Sequence, residues 1–191
     1  MARLREVAAT HLAEPGLTRN RVLACAARLL DIGFFRIGTE GYAEENQTYG
    51  LATMRKEHVS ISGGVITFDY VAKSGKHRIA TLADEDVLAV VQELKRRRTG
   101  GPELLAWRDD DGAWVDVKSN DINDYVKEAT GGGFTAKDFR TWSATVLAAV
   151  ALAVLDRAWG NELARATAAS TVALQVRKSL AVKSPPVCSL M

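Results

Sequence analysis

The sequence predicts an α+β fold that is mainly helical and contains one small antiparallel sheet. Between residues 58 and 80, apolar and polar residues alternate with the two-residue period of a strand. On either side of that segment, apolar residues recur every three or four positions, as on one face of a helix. The chain has 191 residues, 47% hydrophobic and 25% charged, a composition that is typical of globular proteins and excludes wholesale disorder.

Residues 1–57 form a predicted helical lead-in. Two helices are expected in the first thirty residues, separated by Pro15-Gly16, and Thr18 is a suitable N-cap for the second. A compact segment, GFFRIG (33–38), follows them and contains the first arginine motif. The polar stretch 42–50 then predicts a short helix and a loop.

Residues 58–82 form the predicted sheet. Two tight turns, SGG (62–64) and KSGK (73–76), separate three runs that have strand periodicity. In the middle run, the apolar residues Ile66 and Phe68 share one face. These features predict a three-stranded antiparallel meander.

Residues 83–191 form the predicted helical part, which completes a single domain covering the whole chain. Gly131-Gly132-Gly133 separates two of its helices, and Thr135 and Asp138 have the spacing of a capping box for the second. Helices are expected at about 84–98, 120–129, 136–158 and 160–182, with a short extended piece around Trp114-Val115.

Residue counts and spacing exclude several kinds of site. The two cysteines, Cys25 and Cys188, are too few for a disulfide scaffold or a four-thiolate zinc site. The three histidines are widely spaced, and His58 and His77 are interpreted as ordinary surface residues at strand ends. Gly131-Gly132-Gly133 lacks the spacing of a nucleotide-binding loop. We therefore expect no metal and no nucleotide or other cofactor.

Neither a membrane span nor a signal peptide is expected. The longest apolar stretch, residues 144–155, is shorter than the roughly 20 residues that cross a bilayer. The N-terminus mixes arginine and glutamate with short apolar pairs and lacks the apolar core of a signal peptide. We expect a cytoplasmic protein, and no pattern indicates its oligomeric state.

The formal net charge of +2 conceals local clusters of charge. Basic residues cluster at 55–56, 95–98 and 177–178, and acidic residues cluster at 84–86 and 109–111. Such clusters can form one basic face for a polyanion even in a nearly neutral chain. The alternative for residues 95–98 is the solvated end of a helix, and both interpretations remain open.

Three cationic residues stand out by their context. Arg36 lies in an apolar, glycine-bounded segment, where an unpaired guanidinium would be costly to bury. Lys73 lies on the second turn of the sheet, and Arg140 lies in the first turn of a strongly apolar helix. Taken singly, the two arginines could pair with Asp31 and Asp138, and the lysine could be an ordinary hairpin residue. Together they suit a phosphodiester, whose charged oxygens bind guanidinium groups well.

Three segments resemble the catalytic domain of type IB DNA topoisomerases of the bacterial and poxvirus kind. They are FFRIGTEGYAEENQTYGLATMRKEHV (34–59), VAKSGK (71–76) and TAKDFRTW (135–142), in the family's order and with plausible spacing. The resemblance covers residues 12–188. It implies the topoisomerase IB and tyrosine-recombinase catalytic-core fold, with the small three-stranded sheet as one part of it.

The resemblance also implies an activity. In the family, a tyrosine attacks a phosphodiester of duplex DNA and forms a 3′-phosphotyrosyl bond, the DNA swivels, and religation reverses the step without metal or ATP. Arg36 and Arg140 match the two arginines that hold and neutralise the scissile phosphate. Lys73 matches the lysine that protonates the departing 5′ oxygen.

Double-stranded DNA is the partner that the resemblance implies. Tyr42 matches a family position that contacts DNA near the cleavage site. Arg55, Lys56 and Lys137 are expected to contact the DNA backbone, where each neutralised phosphate adds to the salt dependence of binding. A nucleoid-associated location in the cytoplasm is expected from this partner.

The C-terminal part departs from the family's pattern. In the family, a His or Asn precedes a Thr-Pro-like turn, and the nucleophilic tyrosine follows a few residues later. Here the stretch 183–188 resembles that turn, with Lys183 in the His/Asn position as a further candidate catalytic residue. The four tyrosines, at positions 42, 49, 70 and 125, all precede Arg140, so we expect impaired catalysis. A non-catalytic DNA-binding relic and a tyrosine-recombinase-like protein are the alternatives.

Overall fold

The computed structural model describes residues 2–33 and 35–157, apart from the side chains of residues 42, 44 and 155–157. The helices are α1 (Ala2–Leu12), α2 (Arg19–Gly33), α3 (Glu40–Asn46), α4 (Glu85–Arg96), α5 (Ser119–Thr130) and α6 (Ala136–Arg157). The strands are β1 (Val59–Ser62), β2 (Val65–Ala72), β3 (Lys76–Leu82), β4 (Ala106–Arg108) and β5 (Trp114–Asp116). The mainly helical α+β class is thereby confirmed.

The chain divides into two compact units, residues 1–139 and residues 140–191. Helix α6 begins in the first unit and continues in the second. The helix expected at 160–182 lies outside the described residues, and the single domain expected from the sequence stays a prediction. Among residues 2–33 and 35–157, no helix is long and apolar enough to cross a membrane.

The predicted three-stranded meander is present. Strand β2 pairs antiparallel with both β1 and β3, and Ile66, Phe68 and Tyr70 are buried on one face of β2. A second, two-stranded sheet pairs β4 with β5. The sequence predicted an extended piece around β5 but not its partner, because the three residues of β4 are too few to show a period.

Helix α2 is at the centre of the first unit. Helices α1, α4 and α5 all contact it, and its residues from Val22 to Ala27 are almost wholly buried. Arg21 is buried with them, and its guanidinium donates to the carbonyl oxygens of Leu12 and Gly16 at 3.1 and 2.7 Å. A buried cation requires such partners, so this arginine joins α1, the Pro15-Gly16 turn and α2.

The basic residues 95–98 at the end of α4 are of two kinds: two bind carbonyl oxygens of nearby loops and two are exposed. Lys95 Nζ donates to the carbonyl oxygen of Lys56 over 2.8 Å, and the buried Arg97 donates to carbonyl oxygens of the loop that follows it. Arg96 and Arg98 are exposed. The interpretation as a solvated helix end is therefore wrong for Lys95 and Arg97, because both side chains donate hydrogen bonds to carbonyl oxygens of adjacent loops.

Candidate functional site

Arg36 lies in an extended segment between α2 and α3. The carbonyl oxygen of Arg36 accepts a hydrogen bond from the amide of Leu51 over 2.8 Å, and that of Ile37 accepts one from the amide of Ala52 over 2.7 Å. The segment thus runs beside the stretch that follows α3. These backbone bonds fix the position from which the Arg36 side chain extends.

Two glycines allow the extended segment to lie this close to its neighbour. Gly38 has a φ of +75°, and a Cβ atom on it would lie 2.7 Å from the Cα atom of Gly50. Real Cβ atoms do not approach a backbone so closely, and a positive φ of this size also favours glycine. The glycine of the FFRIG motif is therefore required by packing as well as by conformation.

Phe35 anchors the same segment to the three-stranded sheet. Its buried ring lies 4.8 Å from the ring of Phe68, edge to face, and 6.3 Å from the stacked ring of Tyr70. Arg78 on β3 contacts the same ring, with its guanidinium 5.5 Å from the centre of the Phe35 ring. Residue 36 is consequently held beside strands β2 and β3.

The guanidinium of Arg36 is half-buried. None of the carboxylates whose side chains the structure describes forms an ion pair with it; Asp31, the partner that the sequence offered, pairs with Arg5 at 2.8 Å and with Arg28 at 3.7 Å. Burial raises the pKa of the Tyr70 phenol, while the charges of Arg78 and Arg36 act to lower it. The positive charge of Arg36 therefore lies near the Tyr70 hydroxyl and is not neutralised by a described acid.

Lys73 lies on the hairpin between β2 and β3. Ala72 pairs with Lys76, so that three residues form the turn, and Ser74 and Gly75 both have a φ of 67°. A serine in this region is strained by about 1 kcal/mol, which shows that the surrounding strands impose the turn. The Lys73 side chain is exposed on this fixed hairpin.

The hairpin and the Arg36 segment meet at the same end of β2. The amide of Tyr49 donates to the carbonyl oxygen of Val71 over 2.8 Å, two residues before Lys73. Tyr49 itself directly precedes the stretch that pairs with Arg36 and Ile37. Of the candidate catalytic residues, the structure thus brings Arg36 and Lys73 into one region of the first unit.

Arg55 belongs to an aromatic cluster next to this region. Its guanidinium lies 5.3 Å above the ring of Tyr49, and its Nη1 lies 3.4 Å from the exposed carboxylate of Glu57. Its backbone amide donates to Nδ1 of His58 over 3.2 Å, and the His58 ring lies 4.3 Å from that of Tyr49. Arg55 is therefore held near the surface, where it can reach a phosphate.

The interpretation of His58 as an ordinary surface residue is wrong. Its ring is half-buried between the rings of Tyr49 and Tyr70. Burial lowers the pKa of His58, although the nearby carboxylate of Glu57 acts to raise it. His77, in contrast, is exposed as expected and lies 2.5 Å from the carboxylate of Asp69.

Lys56 faces the protein instead of the solvent. Its Nζ donates to the carbonyl oxygen of Arg97 over 3.3 Å. The pKa of Lys56 is lowered mainly by burial and also by the positive charge of Arg97. To contact DNA, this ammonium would have to give up its hydrogen bond to Arg97 for one to a phosphate. The contact stays a prediction.

The other candidate residues lie on α6 or outside the description. Lys137 is exposed in the first turn of α6, and Arg140, half-buried on the same helix, belongs to the second unit. Asp138 accepts hydrogen bonds at 2.8 Å from both the amide and the hydroxyl of Thr135, so the capping-box bond from the N-cap amide to the carboxylate is formed. The side chain of Tyr42 and all of Lys183 lie outside the described residues.

Sequence reasoning did not identify Arg78. The alternation of β3 indicates its role, because Arg78 lies on the same, less exposed face of the strand as Ala80 and Leu82. A charged residue on that face needs a partner. The partner is the carbonyl oxygen of Gly33, the last residue of α2, at 3.0 Å from Nη2. A cation at the C-terminal end of a helix is also favoured by the helix dipole.

Comparisons with known proteins identify the family. Residues 1–184 match a family model described as eukaryotic DNA topoisomerase I, catalytic core. The chain is 34% identical over 136 residues to DNA topoisomerase 1B of Acanthamoeba polyphaga mimivirus, a match that covers 69% of this chain and 40% of that protein. It is 25% identical over 131 residues to DNA topoisomerase 1 of Daucus carota, covering 68% of this chain and 15% of that protein. The chain therefore spans less than half the length of these relatives.

The family match includes each of the three motifs that the sequence singled out. The first two motifs carry Arg36 and Lys73, which the fold brings to one end of β2. The third opens α6 with its capped first turn. The chain belongs to the type IB DNA topoisomerase catalytic-domain family.

Proposed function

We propose that this chain binds double-stranded DNA and holds one phosphodiester against Arg36 and Lys73. The observation that carries the proposal is that the extended segment of Arg36 and the hairpin of Lys73 lie at the same end of β2. No described carboxylate neutralises Arg36. A phosphate would supply an anion for this guanidinium, which no described carboxylate provides.

The two cations suit different parts of the family's transesterification. A guanidinium presents a planar fork of N–H donors, which matches the non-bridging oxygens of a phosphate. A lysine is a single mobile donor, and its proton can pass to the departing 5′ oxygen. The family resemblance assigns the second guanidinium of this scheme to Arg140, and the scheme needs neither metal nor nucleotide.

We further propose that these 191 residues bind DNA without cleaving it. Tyr70 and Tyr125 are buried, and burial raises the pKa of both phenols. The ring of Tyr49 is held against His58 and Arg55. A phenol that attacks phosphorus needs access and in-line geometry, which argues against these three, and the resemblance assigns the fourth tyrosine, Tyr42, to a contact with DNA. A cytoplasmic, nucleoid-associated location belongs to the same proposal.

Two assays test the proposal. Fluorescence anisotropy with a labelled 24-base-pair duplex should show binding whose affinity falls steeply between 50 and 300 mM salt, roughly as expected for phosphate contacts. Lys127→Ala, which removes one exposed charge from α5, should bind like the wild type, whereas Arg36→Ala should bind more weakly. Absence of duplex binding at 50 mM salt would refute the DNA-binding function.

Relaxation of supercoiled plasmid in EDTA tests the second part. EDTA silences magnesium-dependent contaminants, and Arg140→Ala controls for the others. We expect no relaxation by either protein. Relaxation by the wild type that is lost in Arg140→Ala would show that a nucleophile within these residues works, and the non-cleaving proposal would then be wrong.

A further inference from the structure

A carboxylate at the start of α3 reaches the start of α5. Glu40 Oε1 accepts a hydrogen bond from the amide of Ser119 over 3.0 Å, and Oε2 accepts one from the Ser119 hydroxyl over 3.3 Å. The two residues are 79 positions apart in the chain. An amide in the first turn of a helix has no partner within that helix, and a carboxylate there is also stabilised by the helix dipole.

The electrostatics of Glu40 agree with a formed contact. Burial acts to raise the pKa of Glu40, but the hydrogen bonds from Ser119 and the charge of Lys118 lower it, and the net pKa is below the ordinary value. Lys118 in turn lies 2.5 Å from the carboxylate of Asp116. The ionised form of Glu40 is therefore the form that the fold holds at neutral pH.

Helix α3 needs contacts outside itself to be stable. It has only seven residues, and isolated helices of that length are not stable in water. None of its side chains that the structure describes is buried. Since no described side chain of α3 is buried, the bonds between Glu40 and Ser119 are the side-chain hydrogen bonds by which the described part of α3 is attached to another element.

We infer that Glu40 is a positioning residue of the DNA site, which holds the chain between Arg36 and Tyr42 in place by attaching α3 to α5. The inference rests on the proposed function. Glu40 follows Arg36 by four positions and precedes Tyr42 by two. The backbone bonds at Arg36 and Ile37 fix one end of this stretch, and the bond to Ser119 fixes the other.

The sign of the effect separates positioning from plain electrostatics. Removal of an acidic residue near a DNA site reduces repulsion, so by charge alone any such variant should bind DNA more tightly. Glu45→Ala is the matched control, since Glu45 is an exposed carboxylate on the same helix. We expect Glu45→Ala to bind duplex DNA as tightly as the wild type or more tightly, and Glu40→Ala to bind at least about threefold more weakly.

Conservative and partner variants complete the test. Glu40→Gln keeps an oxygen that accepts from the Ser119 amide, and its affinity should stay within about twofold of the wild type. Ser119→Pro removes that amide at the first position of α5, where proline is tolerated, and should reproduce the loss seen with Glu40→Ala. The double variant Glu40→Ala/Ser119→Pro should be no weaker than either single variant, because both remove one contact.

The outcomes distinguish the inference from the proposed function. If the wild type and Arg36→Ala bind duplex DNA equally, the proposed function fails. If Arg36→Ala weakens binding but Glu40→Ala and Ser119→Pro do not, the proposed function stands and the inference is wrong. Circular dichroism at the assay temperature verifies folding, and if Glu40→Ala does not fold, Ser119→Pro compared with Glu40→Gln decides the question alone.

Discussion

Arg78 donates a hydrogen bond from Nη2 to the carbonyl oxygen of Gly33, with 3.0 Å between the two atoms and 45 positions between the two residues. The bond joins β3, which follows the Lys73 hairpin, to the end of α2, from which the Arg36 segment departs. The two cationic parts of the proposed DNA site are thus attached to each other by a third cation.

Replacement of Arg78 should destabilise this connection. Arg78→Met loses a hydrogen bond from a charged donor, leaves the Gly33 carbonyl oxygen without it, and loses the contact with the Phe35 ring. The free energy of unfolding should fall by about 1.5–3 kcal/mol, measured by urea denaturation. Lys76→Met, at an exposed position of the same strand, should change it by less than about 0.5 kcal/mol. Equal effects of the two substitutions would contradict the role given to Arg78.

His58 should make the fold sensitive to mild acid. Its folded-state pKa is lowered by burial from an ordinary value of 6.5, so the unfolded chain binds a proton at a higher pH than the folded chain does. Stability from this source is complete above about pH 6.5 and is lost as the pH falls toward the folded-state pKa. Protonation would also remove the Nδ1 lone pair that accepts from the amide of Arg55.

The variant His58→Asn isolates this effect. Its side-chain oxygen can accept from the Arg55 amide but does not titrate. Urea denaturation at pH 7.5 and pH 5.0 should show a smaller loss of stability on acidification for His58→Asn than for the wild type. Equal losses in the two proteins would mean that His58 does not titrate differently in the folded and unfolded states.

Glu57 should limit the affinity for DNA. Its exposed carboxylate lies 3.4 Å from Nη1 of Arg55, where it competes with a phosphate for the guanidinium. Glu57→Gln should therefore raise the affinity for duplex DNA about twofold to fivefold at 100 mM salt, measured by anisotropy. Glu85→Gln removes an exposed charge from α4 and should have a smaller effect. No difference between these variants would remove Arg55 from the DNA contacts.

The elements that the sequence predicted correctly are those with strong local signals. The strand period of Ile66, Phe68 and Tyr70 and the two turns beside them are visible within a few residues. The same holds for the Thr135 cap of α6, since a cap joins residues only three positions apart. Such features depend on backbone preferences that each short segment carries by itself.

The contacts that the sequence did not predict join distant residues. Asp31 was an available partner for Arg36, yet it pairs with Arg5 from α1. Glu40 finds its partner in Ser119, 79 positions away. Because each of these side chains has many possible partners of suitable charge, only the packing of the helices decides between them. Residues that belong to a local motif of the site are therefore easier to predict than the distant residues that fix the position of that motif.

The dependence of duplex binding on salt reports how many phosphates Arg36 and Lys73 neutralise. If Arg36 and Lys73 together neutralise one phosphate, that contact contributes about 0.9 to the slope of log affinity against log salt. The double variant Arg36→Ala/Lys73→Ala should therefore have a slope that is shallower than that of the wild type by about 0.9. Arg3→Ala/Lys127→Ala, which removes two exposed charges from α1 and α5, should keep the wild-type slope. Equal slopes for the wild type and the Arg36→Ala/Lys73→Ala variant would mean that these two residues do not neutralise a phosphate of the bound duplex.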